Sequence, residues 1–175
     1  VSVATRFEDL IESHEREIYR FARRMTADPE DAADVLQETF LKAFQAFRKL
    51  PPDANHRAWL YRIAGRVAID LSRRKKTRRA TSLTVAVDFA DGDGDPESQA
   101  GARRLAESLA RVVRSLPGRQ RIALVQRKYE GLSYEEIATT LGCTEQTARA
   151  HVYQAMTKLR RKLDPLRGRR GAGRS

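Results

Sequence analysis

Apolar and polar positions follow the helical period almost throughout this chain. The strand-like period of two is confined to one isolated run, Ser82–Val87. From about Arg6 to Met25, residues Phe7, Leu10, Ile11, His14, Ile18, Phe21 and Ala22 fall on one stripe. The segment "ADPED" then predicts a new start. Asp28 is placed as N-cap, Pro29 at the first helical position and Asp31 in the first turn. This second helix is predicted to reach about Lys49, with Val35, Leu36, Phe40, Ala43, Phe44 and Phe47 as its apolar set, and "LPPDAN" breaks it. A third helix spans about Arg57–Arg79, with Trp59, Leu60, Ile63, Val67 and Leu71 inside. A second Asp-Pro-Glu start, at Asp95, opens a fourth helix that ends near Leu116–Gly118. A fifth covers about Pro117–Tyr129, with Gly131 as its C′ residue.

Between the third and fourth helices the character changes. Ala80–Ser98 holds Asp88, Asp91, Asp93, Asp95 and Glu97 but no Lys or Arg, and reads as a flexible acidic tether. After Asp164 the chain is basic and Gly-rich, and reads as a disordered tail. The expected fold is therefore all-α: two small helical domains joined by a flexible linker, the C-terminal one containing a helix-turn-helix. The expected bounds are 1–79, linker 80–96, 97–163 and tail 164–175.

The helix-turn-helix is the segment "LSYEEIATTLGCTEQTARAHVYQAMTKL". Ser133 and Glu136 have the spacing of a capping box, and the first helix is Tyr134–Leu141. Gly142 supplies a positive φ for the turn, and Thr144 caps a second helix running to about Leu163. Ile137, Leu141, Ala148, Val152, Ala155, Leu159 and Leu163 form its buried stripe, and Ala138 is small where the helices cross. Thr144, Glu145, Gln146, Arg149, Ala150, Tyr153 and Gln154 lie where a recognition helix meets base edges. Arg119, Arg121, Arg127, Lys128, Arg160 and Arg161 surround it with positive charge. An αα-hairpin with a basic surface is the plainer alternative.

Two further constellations lie in the first half. "NHRAWLYRIAGRVAIDLSRRKKTRR" sets Trp59 and Tyr61 near its start, along with His56 and Arg57. Arg62, Arg66, Arg73 and Arg74 follow along its length. Cations with aromatic faces near a Pro-containing loop suit a strand-separated nucleic acid, because an unstacked base can lie on a ring. The plainer reading makes Trp59 and Tyr61 core residues and the basic end a solvated face, and for Trp59 core packing is the favoured reading, as is usual for a large aromatic. The second helix carries Asp31, Asp34, Gln37 and Glu38, with the carboxylates spaced so that they share a face beside Leu36 and Phe40. An acidic, partly apolar ridge on a basic protein is a candidate protein-docking site.

Charge and composition narrow the classes. Lys plus Arg outnumber Asp plus Glu by 34 to 23, and the resulting +11 favours a polyanionic partner, nucleic acid before membrane. No long apolar run marks a spanning helix or a signal peptide, so a cytoplasmic protein without membrane insertion is expected. A single cysteine, Cys143, excludes an internal disulfide, and with three scattered histidines it gives no metal spacing. No nucleophile–base grouping or phosphate-cradling glycine loop appears, so neither an enzyme nor a cofactor is expected. The run "DGDGD" lacks the helical flanks and terminal Glu of a calcium loop.

Taken together, these segments resemble the extracytoplasmic-function (ECF) class of bacterial sigma factors. "DAADVLQETFLKAF" looks like the family's core-binding region 2.2. "HRAWLYRIAGRVAIDLSRR" looks like regions 2.3 and 2.4, and "LPGRQRIALVQRKYEGLSYEEIATTLGCTEQTARAHVYQAMTKLRRKL" like region 4. The resemblance covers roughly Phe7–Leu163. It implies a promoter-specificity subunit that is monomeric when free. Its partners would be the β and β′ subunits of core RNA polymerase, promoter DNA and an anti-sigma factor. Asp31, Asp34, Gln37 and Glu38, supported by Leu36 and Phe40, would dock on the polymerase clamp. The loop Leu50–His56 and the head of the third helix would receive a flipped base of the −10 element, and the recognition helix would enter the −35 major groove. The acidic linker would thread toward the polymerase cleft.

Several positions depart from the family pattern. Ala33 stands where a third carboxylate is frequent, His56 where an aromatic commonly precedes "RAWL", and Arg66 where Asn is frequent. In the recognition helix Ala150, His151, Gln154 and Met156 replace Ser and three arginines, while Arg149 keeps the basic position. Because Gln reads adenine where Arg reads guanine, family-typical −35 sequences are not expected. The competing reading is a stand-alone helix-turn-helix regulator whose first lobe only dimerises.

Overall fold

A computed structural model describes residues 6–51, 53–78 and 96–168, with backbone alone for 78, 96–103 and 164–168. Seven α-helices and no strand occur among the described residues. The isolated run Ser82–Val87 and nearly all of the acidic linker lie outside them. The helices are α1 (Phe7–Thr26), α2 (Pro29–Phe47), α3 (His56–Arg78), α4 (Pro96–Arg114), α5 (Gly118–Lys128), α6 (Tyr134–Leu141) and α7 (Glu145–Gly168). The last of these runs on to Gly168, into the segment expected to be a disordered tail.

Local chemistry sets the boundaries. The Asp9 carboxylate accepts the Arg6 N–H at the head of α1, and Asp28 Oδ1 accepts the Asp31 N–H at 3.0 Å with Pro29 in the first turn of α2. Asn55 Oδ1 accepts the Ala58 N–H at 2.9 Å, a cap that starts α3 one residue earlier than expected. Ser133 and Glu136 cap α6 reciprocally, at 3.1 and 2.8 Å, and Gly142 closes it at φ 61°. Thr144 Oγ1 accepts the Thr147 N–H at 3.2 Å to begin α7. One terminator was not legible. Helix α1 ends on Ala27 in the left-handed region at φ 67°, a conformation that costs an L-residue about 1 kcal/mol. Its buried methyl packs with that of Ala110, a contact glycine would lose.

In the first lobe α1 and α2 run antiparallel. Phe7 at the head of α1 meets Phe40, Phe44 and Phe47 toward the end of α2, with ring centroids 5.2–6.4 Å apart in edge-to-face geometry. Helix α3 lays Leu60, Tyr61, Ala64, Val67 and Ala68 onto this pair. In the second lobe α5, α6 and α7 pack around Ile122, Val125, Ile137, Ala148, Val152 and Ala155, and α4 lies against α7. Phe44 does not join the apolar stripe expected of α2: it is 62% exposed.

The two lobes share one continuous core. Helix α5 is wedged between them, and seven consecutive residues, Gln120–Gln126, are buried, because no face of the helix remains for water. Two reciprocal contacts bring α3 and α5 together. A Cβ on Gly65 would lie 2.9 Å from Ile122 Cδ1, and one on Gly118 would lie 2.7 Å from Ile69 Cδ1. Each helix thus offers a glycine to the isoleucine of the other, one turn along. Thr140 Oγ1 adds a hydrogen bond to the Ala58 carbonyl at 3.4 Å.

Two outcomes follow. Gly65→Leu drives a branched side chain into Ile122, and small-angle scattering should show a larger radius of gyration with helical content retained. Gly142→Ala meets no neighbour within 4 Å, so its whole effect is backbone strain, about 1 kcal/mol of lost stability in denaturant titration.

Candidate nucleic-acid interface

The exposed start of α7 is the clearest candidate surface. Thr144, Glu145, Gln146, Arg149, Ala150, Tyr153 and Gln154 are all solvent-facing there, and Tyr153 is 71% exposed. Arg149 lies with its guanidinium 4.2 Å from the Tyr134 ring and bonds Glu145 one turn earlier. Gln154 is less free, because its side-chain oxygen accepts from Gln120 Nε2 at 2.8 Å, and Lys158 Nζ donates to Gln120 Oε1 at 2.9 Å.

The departures in this helix divide by face. Ala150 and Gln154 point outward, whereas His151 is half-buried and Met156 packs against the core. Burial, helped by the nearby Arg119 charge, holds His151 below the usual imidazole range, so this position contributes a neutral ring. Its Nδ1 is buried without a hydrogen-bond partner. Two of the expected lost arginine contacts are thus packing positions. Arg121 also leaves the basic surroundings. It is only 5% exposed, its Nη1 donates to the Arg114 carbonyl at 3.4 Å, and burial pushes its guanidinium below its ordinary range.

The expected −10 set separates into three groups and Arg74, which lines a groove with α2. Arg62, Arg66 and Arg73 are exposed along α3 and form a basic face. His56 stacks near Phe47, 6.2 Å between centroids, and Trp59 is half-buried against the core. Arg57 and Tyr61 turn toward the lobe interface, although Arg57 keeps 31% of its side chain exposed. Tyr61 is fully buried, edge-on to Phe21 at 5.2 Å. Its hydroxyl lies 3.4 Å from Glu17 Oε2 and 3.3 Å from Glu130 Oε2.

Those carboxylates anchor a network between the lobes. Glu130, in the turn after α5, accepts from Arg24 Nη1 at 2.7 Å, and its own side chain is only 2% exposed. Arg57 Nε donates to Glu17 at 2.9 Å, Arg57 Nη2 donates to the Glu130 carbonyl at 3.0 Å, and Arg57 Nη1 is 3.6 Å from Glu136. His14 Nδ1 lies 2.5 Å from Glu17. Burial opposes the Glu17 charge, but hydrogen bonds from His14 and Arg57 outweigh it and hold the carboxyl below the usual range. For Glu130 burial wins over the Arg24 and Arg20 charges and raises the carboxyl. Burial, reinforced by the Glu130 and Glu17 charges, pushes the Tyr61 phenol far up, so it is a neutral donor. Sequence reading missed this cluster because its members come from α1, α3 and the second lobe.

The acidic ridge of α2 is also redrawn. Asp31 is 8% exposed and pairs with Lys75 of α3, so it does not share the open face. Asp34 and Gln37 are exposed, and Glu38 is half-exposed and pairs with Lys42 at 2.9 Å. Leu36 and Phe40 are half-buried against the core, whereas Leu41 is 57% exposed beside Phe44. Asp34, Gln37, Glu38 and Leu41 line an open groove of about 290 Å³, with Val67, Leu71 and Arg74 of α3 as the opposite wall. Arg74 therefore belongs to this groove. Among the described residues no group of three or more His, Cys, Asp or Glu could hold a metal ion, and no helix is long and apolar enough to cross a membrane.

Comparison with known proteins matches this division. Residues 10–79 match the family model for sigma-70 region 2, and residues 106–159 that for sigma-70 region 4. The chain is 34% identical over 155 residues to the ECF RNA polymerase sigma factor SigE of Mycolicibacterium smegmatis, covering 88% of this chain and 60% of that protein's length. It is 31% identical to the RNA polymerase sigma-H factor of Pseudomonas aeruginosa, covering 91% and 87%. It is 33% identical to the ECF RNA polymerase sigma-E factor of Escherichia coli, covering 78% and 75%. Among solved structures, RpoE of Bartonella quintana, in complex with the anti-sigma factor NepR, superposes with a TM-score of 0.70 at 21% identity, over 90% of this chain and 96% of that one. CnrH, solved with the cytosolic domain of CnrY, superposes with a TM-score of 0.66 at 26% identity, over 91% and 88%. With both sigma-70 regions present in order, and with relatives above 30% identity aligned along most of its length, the chain belongs to the ECF sigma factors of the sigma-70 family.

Proposed function

We propose that this chain directs core RNA polymerase to a particular set of promoters, acting in the cytoplasm without catalysis of its own. Region 4 grips the −35 duplex through the head of α7, region 2 handles the −10 element through α3, and the α2 ridge docks on the polymerase clamp. The observation that carries this reading is the ridge itself. Asp34, Gln37 and Glu38 stand beside the uncovered side chains of Leu41 and Phe44, on the lobe that does not hold the helix-turn-helix. A stand-alone regulator gives no reason to leave Leu41 and Phe44 in water while the chain carries +11 of charge. A polymerase contact that is basic and partly apolar answers both features.

In the closed arrangement Tyr61 is buried and Arg57 is bonded across the lobe interface, so a base flipped at the head of α3 reaches the Tyr61 ring only when the lobes part. Docking on polymerase supplies that separation if it engages α2 and α7 at a spacing the closed form cannot reach. A ligand shifts such an equilibrium by its differential affinity for the two states. Exposed Arg62, Arg66 and Arg73 remain available for phosphate contacts in either form.

Replacing Asp34 and Glu38 together by Arg reverses the ridge without touching the core. Retention of the variant on immobilised core polymerase should fall to background while its thermal melting is unchanged; undiminished retention would place the docking surface elsewhere. Arg149→Ala should relax one −35 position in transcription from a promoter library by about 1–3 kcal/mol. An unchanged promoter profile would remove Arg149 from the reading surface.

A further inference from the structure

Arg149 is an exposed side chain on an exposed face, with its side chain 58% accessible, yet it does not hang free. Its guanidinium lies over the Tyr134 ring at 4.2 Å, and Glu145 holds one end through Nη2. The same ring carries a second cation, Arg127, at 4.6 Å. Arg127 is itself tied down, donating from Nη1 to the Leu132 carbonyl at 3.0 Å. Tyr134 is the first residue of α6, half-buried against the core, and Ser133 and Glu136 cap that helix reciprocally. Its ring is therefore fixed by the fold of the first helix of the helix-turn-helix, while the arginine it holds belongs to the second.

Reading guanine requires two N–H groups of one guanidinium to meet O6 and N7 in a common plane. A long arginine pays rotamer entropy to reach that geometry, and a planar group already stacked and bonded pays less. The Tyr134 ring and the Glu145 carboxylate together restrict where the Arg149 guanidinium can lie. More than half of the Arg149 side chain stays exposed and open to a ligand.

We propose that Tyr134 is a positioning residue for −35 recognition: through its ring it pre-orients Arg149, so that this chain's preference at one base pair depends on a residue that touches no base. The proposal rests on the sigma-factor reading above and deepens it. It assigns a specificity role to the non-recognition helix, and it predicts guanine at the base pair that Arg149 contacts.

The test uses the full chain assembled with core polymerase, on promoter templates randomised across the −35 element. Tyr134→Phe keeps the ring and should leave base discrimination as in wild type. Tyr134→Leu keeps apolar volume but removes the ring. It should lose about twofold to fivefold in discrimination at the position relaxed by Arg149→Ala, and at no other. Combined with Arg149→Ala it should add nothing further. Wild-type discrimination in Tyr134→Leu, or additive losses in the double variant, would overturn the positioning role while leaving Arg149 as a reader. If wild-type holoenzyme shows no −35 preference, the sigma-factor reading itself fails, and the proposal with it. A second measurement does not depend on the variant folding. In nuclear magnetic resonance spectra of the free wild-type chain, the Arg149 guanidinium protons should show an upfield ring-current shift. A shift at the value of an unstacked arginine would contradict the proposal.

Discussion

Glu130 stands in a surface-type turn and yet is almost wholly removed from water, and the closed form depends on how that charge is answered. A carboxylate so placed is tolerable only with a cation and a hydrogen-bond donor at hand. The first lobe supplies both, Arg24 at 2.7 Å and the neutral Tyr61 hydroxyl at 3.3 Å. Neither lobe satisfies the group alone. Removing one partner of such a set is costly, but separating the lobes restores water to every member at once. The network therefore specifies how the lobes meet more than it stabilises their meeting, and the continuous apolar core around α5 supplies the attraction.

Much of the local structure was legible in the sequence because its causes are local. Asp28, Ser133, Glu136, Gly142 and Thr144 act on residues three or four positions away, and each does what its spacing foretold. The exposed face at the head of α7 was legible for the same reason, since a helical period fixes which side chains share a side. The order of the two sigma regions was legible from their motifs and agrees with the family matches.

What escaped depends on distant chain segments. Tyr61 fits either a ligand-facing aromatic or a core residue on sequence alone, and α1 and the second lobe decide it by closing over the ring. Arg121 reads as part of a basic surface until α5 is buried on every side. Asp31 shares a period with Asp34 and Glu38, but Lys75 on α3 claims it. Phe44 fits the apolar stripe, but the stripe is wider than the surface α1 and α3 can cover. In each case the pattern named an eligible residue, and tertiary packing chose its role.

The paired glycines at 65 and 118 have a different kind of consequence. Each is a recess filled by the end of one isoleucine of the facing helix, so a side chain added there obliges that isoleucine to shift. A methyl gained at Gly65 displaces Ile122 Cδ1, and the same relation links Gly118 with Ile69. The contact between the two halves of this protein is thus set by two couplets, and a side chain added at either glycine is answered by the isoleucine that faces it.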